Sequence, residues 1–345
     1  MNNRYLLFAS KAYSFSILRP LQAAIRRRED HVAWFLYELD LSNLNEDEQC
    51  LFTVDEVRQF DPGAVFVPGN WVPDFFPGVK VEIFHGFGID KKGHFNIRGL
   101  FDLYCTHGPL TTKPFQALKK KHSFFEVVET GWPKTDTLFS YKTVSTWKEN
   151  KRIGKPVILY APTFSPALTS AFHLRKTISK IAQKGTYLWL IKFHPKMDPD
   201  VVRSYRQLDM ANINIIDESD VIPYLHAADV LVSDTSSVVA EFLLLKKPVV
   251  TFRAKSPEAH LLNITKPDDL ESALAAVIQN PGKFLESTIK FVSMMHPYMD
   301  GRSSERVLDA TDRFVAQKAH QMPPKPLNLW RKLQARSRLK YYHLR

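Results

Sequence analysis

A repeated alternation of short apolar runs with helix-length segments is the feature that most restricts how this chain can fold. Tyr5–Ala9, His31–Tyr37, Ala64–Val67, Val81–Phe84, Asp102–Cys105 and Phe124–Val128 read as strands, with helices at Pro20–Arg28 and about Thr111–Lys121. Ser10–Phe15 reads as a loop, which puts Pro20 in the first turn of its helix, where a missing N–H is tolerated. Strands that are apolar on nearly every residue are buried on both faces, and alternation with helices makes their sheet parallel. A polar, lysine-rich stretch, Tyr141–Lys155, reads as a linker, and the rhythm then restarts. Further strands follow at Val157–Tyr160, Tyr187–Phe193, Ile213–Ile216, Val230–Ser233 and Val249–Phe252. Helices fall at Ala167–Lys184, Pro199–Arg206, Val221–His226, Ser236–Leu245, about Asp268–Gln279, and Pro281–Met294. The prediction is an α/β protein with two Rossmann-like domains facing a central cleft. Its parts are residues 1–150, residues 151–302, a helix over 303–320 crossing back to the first half, and a basic amphipathic tail over 321–345. A chain of 345 residues is long enough to bury two such cores.

Charge is unevenly distributed. The formal net charge is +11, yet residues 29–312 hold 32 basic against 36 acidic side chains, so the excess lies at the ends. Residues 1–28 carry six Lys/Arg and residues 313–345 carry nine, with no acid in either segment. A nucleic-acid binder carries its basic charge on the folded body, so no nucleic-acid partner is expected. Basic ends suit an anionic membrane surface better. In Leu327–Arg345, Leu329, Trp330, Leu333, Leu339, Tyr341 and Tyr342 interleave with cations. Two readings stand there: a segment lying in a headgroup layer, or a disordered basic tail. No apolar run approaches the roughly 20 residues of a membrane helix, and the cysteines, Cys50 and Cys105, read as reduced thiols. The expected location is cytoplasmic, peripheral on the inner face of the cell membrane. No second Cys or His stands at zinc-ligand spacing, and no metal is expected.

In doubly wound sheets ligands bind outside the carboxyl ends of the strands, so the polar residues there carry the functional question. The strongest signal is Asp229–Asp234 running into Thr235, Ser236 and Ser237 at the start of a helix. Hydroxyls and free amides at a helix start make an anion site, although a serine in that place also serves simply as a cap. Glu241 lies one turn further on, either to accept from ribose hydroxyls or as a solvated helix glutamate. Leu190-Ile-Lys192-Phe-His194-Pro195 ends a strand with two groups suited to a diphosphate. Ile83-Phe-His85-Gly86-Phe-Gly88 repeats the arrangement in the first half. There His85 is a candidate general base, and the glycines allow a close turn around a ligand. Thr163 closes another strand end, Gly131–Asp136 forms a rigid turn, and Arg302 in Asp300–Arg306 can fork onto a phosphate.

Taken in order, these stations resemble the CDP-glycerol glycerophosphotransferase family of teichoic-acid and capsule synthesis. The matching elements are His85-Gly86, Gly131-Trp-Pro133-Lys134-Thr-Asp136, Pro162-Thr163, Lys192-Phe-His194-Pro195, Asp234-Thr-Ser236-Ser237 and Asp300-Gly301-Arg302 through Glu305-Arg306. The resemblance implies a glycosyltransferase-B fold and a transferase that needs no metal or other cofactor. It implies a CDP-glycerol or similar CDP-polyol donor, release of CMP, and a polymer or undecaprenyl-linked acceptor. By the same resemblance His85 is the base on the acceptor hydroxyl and His194 stabilises the diphosphate. Donor binding falls to Gly86, Thr163, Lys192, Asp234, Ser236, Ser237, Glu241 and Arg302. Thr235 replaces the family's aromatic residue, Lys134 its arginine, and Phe164-Ser165 its Trp-Arg, which leaves the polyol open between glycerol, ribitol and others. Rival readings are a nucleotide-sugar glycosyltransferase or epimerase on the same fold, and a nucleotide-binding scaffold with a decayed site.

Overall fold

The computed structural model describes residues 2–88, 93–141, 154–218, 220–254, 258–317 and 319–342. The linker read over Tyr141–Lys155 lies almost wholly outside them. The chain divides into two compact units, Met1–Ser140 with Met294–Arg345, and Tyr141–Ser293. Each is an α/β unit built on one parallel sheet.

The first unit contains β1 (Arg4–Ala9), β2 (His31–Leu36), β3 (Cys50–Leu51), β4 (Ala64–Val67), β5 (Val79–Glu82), β6 (Leu103–Thr106) and β7 (Glu126–Glu129). They are ordered β3-β2-β1-β4-β5-β6-β7, and every pairing is parallel. The order reverses between β1 and β4, which is the topological switch point of a doubly wound sheet. Helices α1 (Ser14–Arg27), α2 (Val54–Phe60), α3 (Pro109–Lys121) and α4 (Lys134–Ser140) connect the strands. The strands and the residues flanking them bury Leu6, Phe8, Val65, Val67, Tyr104 and Phe125 in one core. Helix α1 begins earlier than the sequence suggested, and Pro20 sits in its interior. Phe15, Ile17, Leu18, Leu21, Ala24 and Ile25 are all buried along it. Burial of that stripe outweighs the roughly 3 kcal/mol that an interior proline costs.

The second unit contains β8 (Val157–Tyr160), β9 (Leu188–Lys192), β10 (Ile213–Ile216), β11 (Val230–Ser233), β12 (Val249–Phe252) and β13 (Leu262–Ile264). Their order is β10-β9-β8-β11-β12-β13, again all parallel, with the reversal between β8 and β11. Its helices are α5 (Ala171–Gln183), α6 (Pro199–Arg206), α7 (Ile222–Ala227), α8 (Val238–Leu243), α9 (Leu270–Gln279) and α10 (Leu285–Met295). Tyr160, Trp189, Tyr205, Val230, Val232 and Leu274 fill its core.

The C-terminal segments α11 (Ser303–Gln317) and α12 (Leu329–Leu339) belong to the first unit. The tail packs down. Arg336 pairs with Asp74 at 3.3 Å, Lys325 with Asp102 at 2.7 Å, and the Tyr341 ring lies 4.8 Å from that of Phe75. The N-terminal cations are also paired within the unit: Arg26 with Asp47, Arg27 with Glu305, and Arg28 with Asp309 and Asp312. Much of the basic charge at the N-terminal end is thus met by acids of the same unit. No helix among the described residues is long and apolar enough to cross a membrane.

Candidate functional site

In the second unit the expected residues gather at the β8/β11 switch point. The Asp234 carboxylate, at the end of β11, accepts from the Thr163 amide at 2.9 Å, the Ser170 amide at 2.8 Å and the Ser170 hydroxyl at 2.9 Å. Asp234 is buried. Burial pushes its carboxyl above the usual value, while the Ser170 and Thr163 donors act in the opposite direction. This side chain therefore faces inward and ties the β8 loop to β11. The hydrogen bonds it accepts come from its own unit, whereas the sequence placed it among the donor residues. The chain it positions runs on through Ser236, half-buried, and Ser237, exposed, into α8. Ser237 stands at the N-cap of α8 without making a side-chain cap bond, so its hydroxyl is not used for helix capping. Glu241 falls in the first turn of that helix, half-buried.

Beside it, at the end of β9, His194 is exposed and stacks on Phe164 with ring centroids 4.4 Å apart. Its Nδ1 accepts from the Lys196 amide at 3.0 Å, which leaves Nε2 pointing away from that turn. Partial burial and the neighbouring Lys196 and Lys192 charges lower its pKa. Near neutral pH it is an uncharged imidazole. Lys192 donates through Nζ to the Glu218 carbonyl at 2.6 Å, so its ammonium is held toward the β10 side of the sheet.

In the first unit, His85 follows β5 and stacks on Tyr13, with centroids 5.3 Å apart. Tyr13 ends the short loop from β1 into α1, so the imidazole sits next to the β1/β4 switch point. The turn that presents it differs from expectation. Phe84 (φ +59°) and Gly88 (φ +36°) are left-handed and Gly86 is not, and a Cβ at Gly86 would meet no described atom within 4 Å. The Phe84 carbonyl accepts from the Trp132 indole at 3.2 Å, which braces this strained turn. Beneath it, Phe84, Phe87 and Trp132 surround a fully buried His107, whose pKa burial pushes well below the ordinary value.

Two stations of the motif series turn out to be partners of each other. Asp136 accepts from the Ser303 and Ser304 amides, both at 2.7 Å, and so caps α11. His296, fully buried, accepts from the Trp132 amide and meets the Thr135 hydroxyl, each at 3.0 Å. Burial lowers its pKa to about 4, which keeps it neutral. Gly131 (φ +81°) has no room for a side chain, since a Cβ would come within 2.4 Å of the Ser303 hydroxyl. Arg302 is exposed, pairs with Glu305 at 2.7 Å, and belongs to the first unit, whereas the sequence grouped it with the donor residues of the second. The sequence reading also passed over Glu82, His107 and His296. His107 follows an apolar strand as His85 does, and Glu82 is the one acid inside the Val81–Phe84 run; those positions were the available signal.

Residues 110–257 match the family model described as CDP-Glycerol:Poly(glycerophosphate) glycerophosphotransferase. The teichoic acid ribitol-phosphate polymerase TarK of Staphylococcus aureus is 30% identical over 207 residues, covering 53% of this chain and 40% of the relative. The chain spans about half or less of the length of the curated relatives it matches, 40% to 52% for the first three. Two solved structures share the fold at 14% identity. The wall teichoic acid polymerase TagF has a TM-score of 0.66, covering 91% of this chain and 89% of its own. A UDP-N-acetylglucosamine 2-epimerase from Listeria monocytogenes has a TM-score of 0.69, covering 95% of this chain and 100% of its own. The architecture is thus the glycosyltransferase-B type. The ordered motifs and the match over residues 110–257 give one answer: this segment is similar to the CDP-glycerol glycerophosphotransferase family.

Proposed function

We propose that this chain is a transferase that moves glycerol phosphate, or a related polyol phosphate, from a CDP-activated donor to a hydroxyl of a surface-polymer or lipid-linked acceptor. The acceptor oxygen bonds to the donor's β-phosphorus, the bond from that phosphorus to the bridging oxygen breaks, and CMP leaves. His85 takes the hydroxyl proton. Ser236 and Ser237 hold phosphate oxygens through hydroxyls and amides, and neutral His194 donates from Nε2 to the diphosphate. Glu241 accepts from the ribose. The observation that carries the reading is the Ser236–Ser237 turn at the β8/β11 switch point, where a hydroxyl spared from capping stands inside the segment matched by the family model. Purified chain mixed with CDP-glycerol or CDP-ribitol and a polyol-phosphate acceptor should release CMP. Release of UDP from a UDP-sugar, with no CMP from either CDP-polyol, would overturn it.

The same proposal places the chain on the cytoplasmic face of the membrane, against anionic lipid. Its support is α12, which packs on the first unit through Lys332, Ala335 and Arg336 and leaves Leu329, Trp330 and Leu333 exposed, Trp330 by 73%. Arg331, Arg338 and Lys340 flank them, and each cation near an anionic leaflet contributes about 1 kcal/mol. Trp330→Ser with Leu333→Ser should abolish flotation with phosphatidylglycerol vesicles while leaving the fold intact. Undiminished flotation would remove α12 from membrane contact.

A further inference from the structure

We propose that Glu82 is a specificity residue that reads the hydroxyl groups of the polyol acceptor beside His85; this rests on the role given to His85 above. Glu82 ends β5 and pairs in register with Val67 of β4 and Tyr104 of β6. Laterally paired residues of neighbouring strands share a face of the sheet, so Glu82 and Tyr104 stand side by side. Both are buried, at 4% and 1% exposure. The Glu82 carboxyl accepts no hydrogen bond from a described residue; among the described residues the charged group acting on it is Arg98, which is bonded elsewhere, to the Asn70 side chain at 2.9 Å and the Asn96 carbonyl at 3.1 Å. The Tyr104 hydroxyl, its lateral neighbour, has no partner either. Buried polar groups are nearly always hydrogen-bonded, and an exception at the carboxyl edge of a parallel sheet is where a ligand supplies the missing partner.

The chemistry of that partner follows from the acceptor groups. A carboxyl accepts from O–H donors, and once ionised it repels phosphate, so Glu82 suits the hydroxylated carbons of the chain and not its phosphate. Glu82 closes β5 three residues before His85, so a hydroxyl bonded to Glu82 lies at the same strand end as the imidazole. Burial also pushes the Glu82 carboxyl up to about 8. Hydrogen bonds donated by a ligand to the ionised form act in the opposite direction.

The test needs no turnover. In the full chain carrying ¹³C-labelled glutamate, the Glu82 carboxyl signal is assigned by its loss in Glu82→Gln. Ribitol 5-phosphate and glycerol 3-phosphate serve as probes, with inorganic phosphate as the comparison. Saturating polyol phosphate should lower the Glu82 titration midpoint by about one unit or more, and inorganic phosphate should not. Glu82→Gln should bind the polyol phosphates about ten-fold more weakly, because hydrogen bonds to a charged acceptor are the stronger kind. Its melting temperature at pH 9 should equal or exceed the wild-type value, since a buried charge is removed. An unmoved midpoint, an equal shift with inorganic phosphate, or unchanged affinity in Glu82→Gln would mean that water alone completes the pair and would overturn the proposal. CMP release by the wild-type chain is judged separately. Transfer activity with an unmoved Glu82 sinks this inference alone, whereas a shifted Glu82 without CMP release sinks the transfer reading alone.

Discussion

Replacing His85 by glutamine should lower the turnover of a CDP-polyol donor by about 10²–10⁴-fold, the usual worth of a positioned general base, with KM for the donor close to wild type. Glutamine keeps much of the imidazole's reach and can still lie on the Tyr13 ring, so the turn after β5 has no reason to rearrange. What it loses is the ability to take a proton near neutral pH. A loss in kcat without a rise in KM marks an interaction made only in the transition state. The donor residues proposed above, His194, Ser236, Ser237 and Glu241, lie in the other unit, which is a second reason for KM to hold. Steady-state CMP release with CDP-glycerol and CDP-ribitol checks it. Turnover within three-fold of wild type would remove His85 from proton transfer and leave Glu82 as the next titratable group of that strand end to examine.

How far the sequence carried this outcome depends on element length. Strands of four to six buried apolar residues, such as Ala64–Val67 and Val157–Tyr160, stand out because every residue is apolar, and both sheets are anchored by them. The two-residue strand Cys50–Leu51 and the three-residue strand Leu262–Ile264 carry no readable pattern and are defined only by their neighbours. Helix α2 was legible and was passed over: Thr53 and Glu56 form a complete capping box. The site was legible as a set of strand ends, since Lys192, His194, Asp234 and His85 all close apolar runs. The direction in which each side chain points was not. Asp234 and Asp136 look like ligand-facing acids in one dimension, yet both turn inward to accept backbone amides. Arg302 was grouped with the second half because the helix expected to cross back starts just after it, at 303; the return to the first unit in fact begins at Met294, which takes Arg302 with it.

Asp136→Ala should destabilise the first unit by about 3–5 kcal/mol, the cost of leaving two buried amides without an acceptor and a helix start without its counter-charge. The Ser303 and Ser304 amides are buried with their residues, each 1% exposed, so water has little access to replace the carboxylate. The loss spreads along α11, because that helix also carries Asp309 and Asp312, the partners of Arg28 and Tyr5 in the N-terminal part of the unit. Asp136→Asn keeps one acceptor oxygen and should cost about 1–2 kcal/mol. For a unit of this size each kcal/mol shifts the melting temperature by about 2–4 °C, so the alanine variant should melt roughly 10 °C lower. Circular dichroism melts of the three chains decide it. An alanine variant that melts within 2 °C of wild type would show that the Gly131–Asp136 turn does not hold α11. The expected pattern, a large loss of stability with activity per folded molecule changed no more than a few-fold, assigns this motif to architecture. The turn would then matter because it carries Trp132, whose indole braces the Phe84 carbonyl one residue before the proposed base.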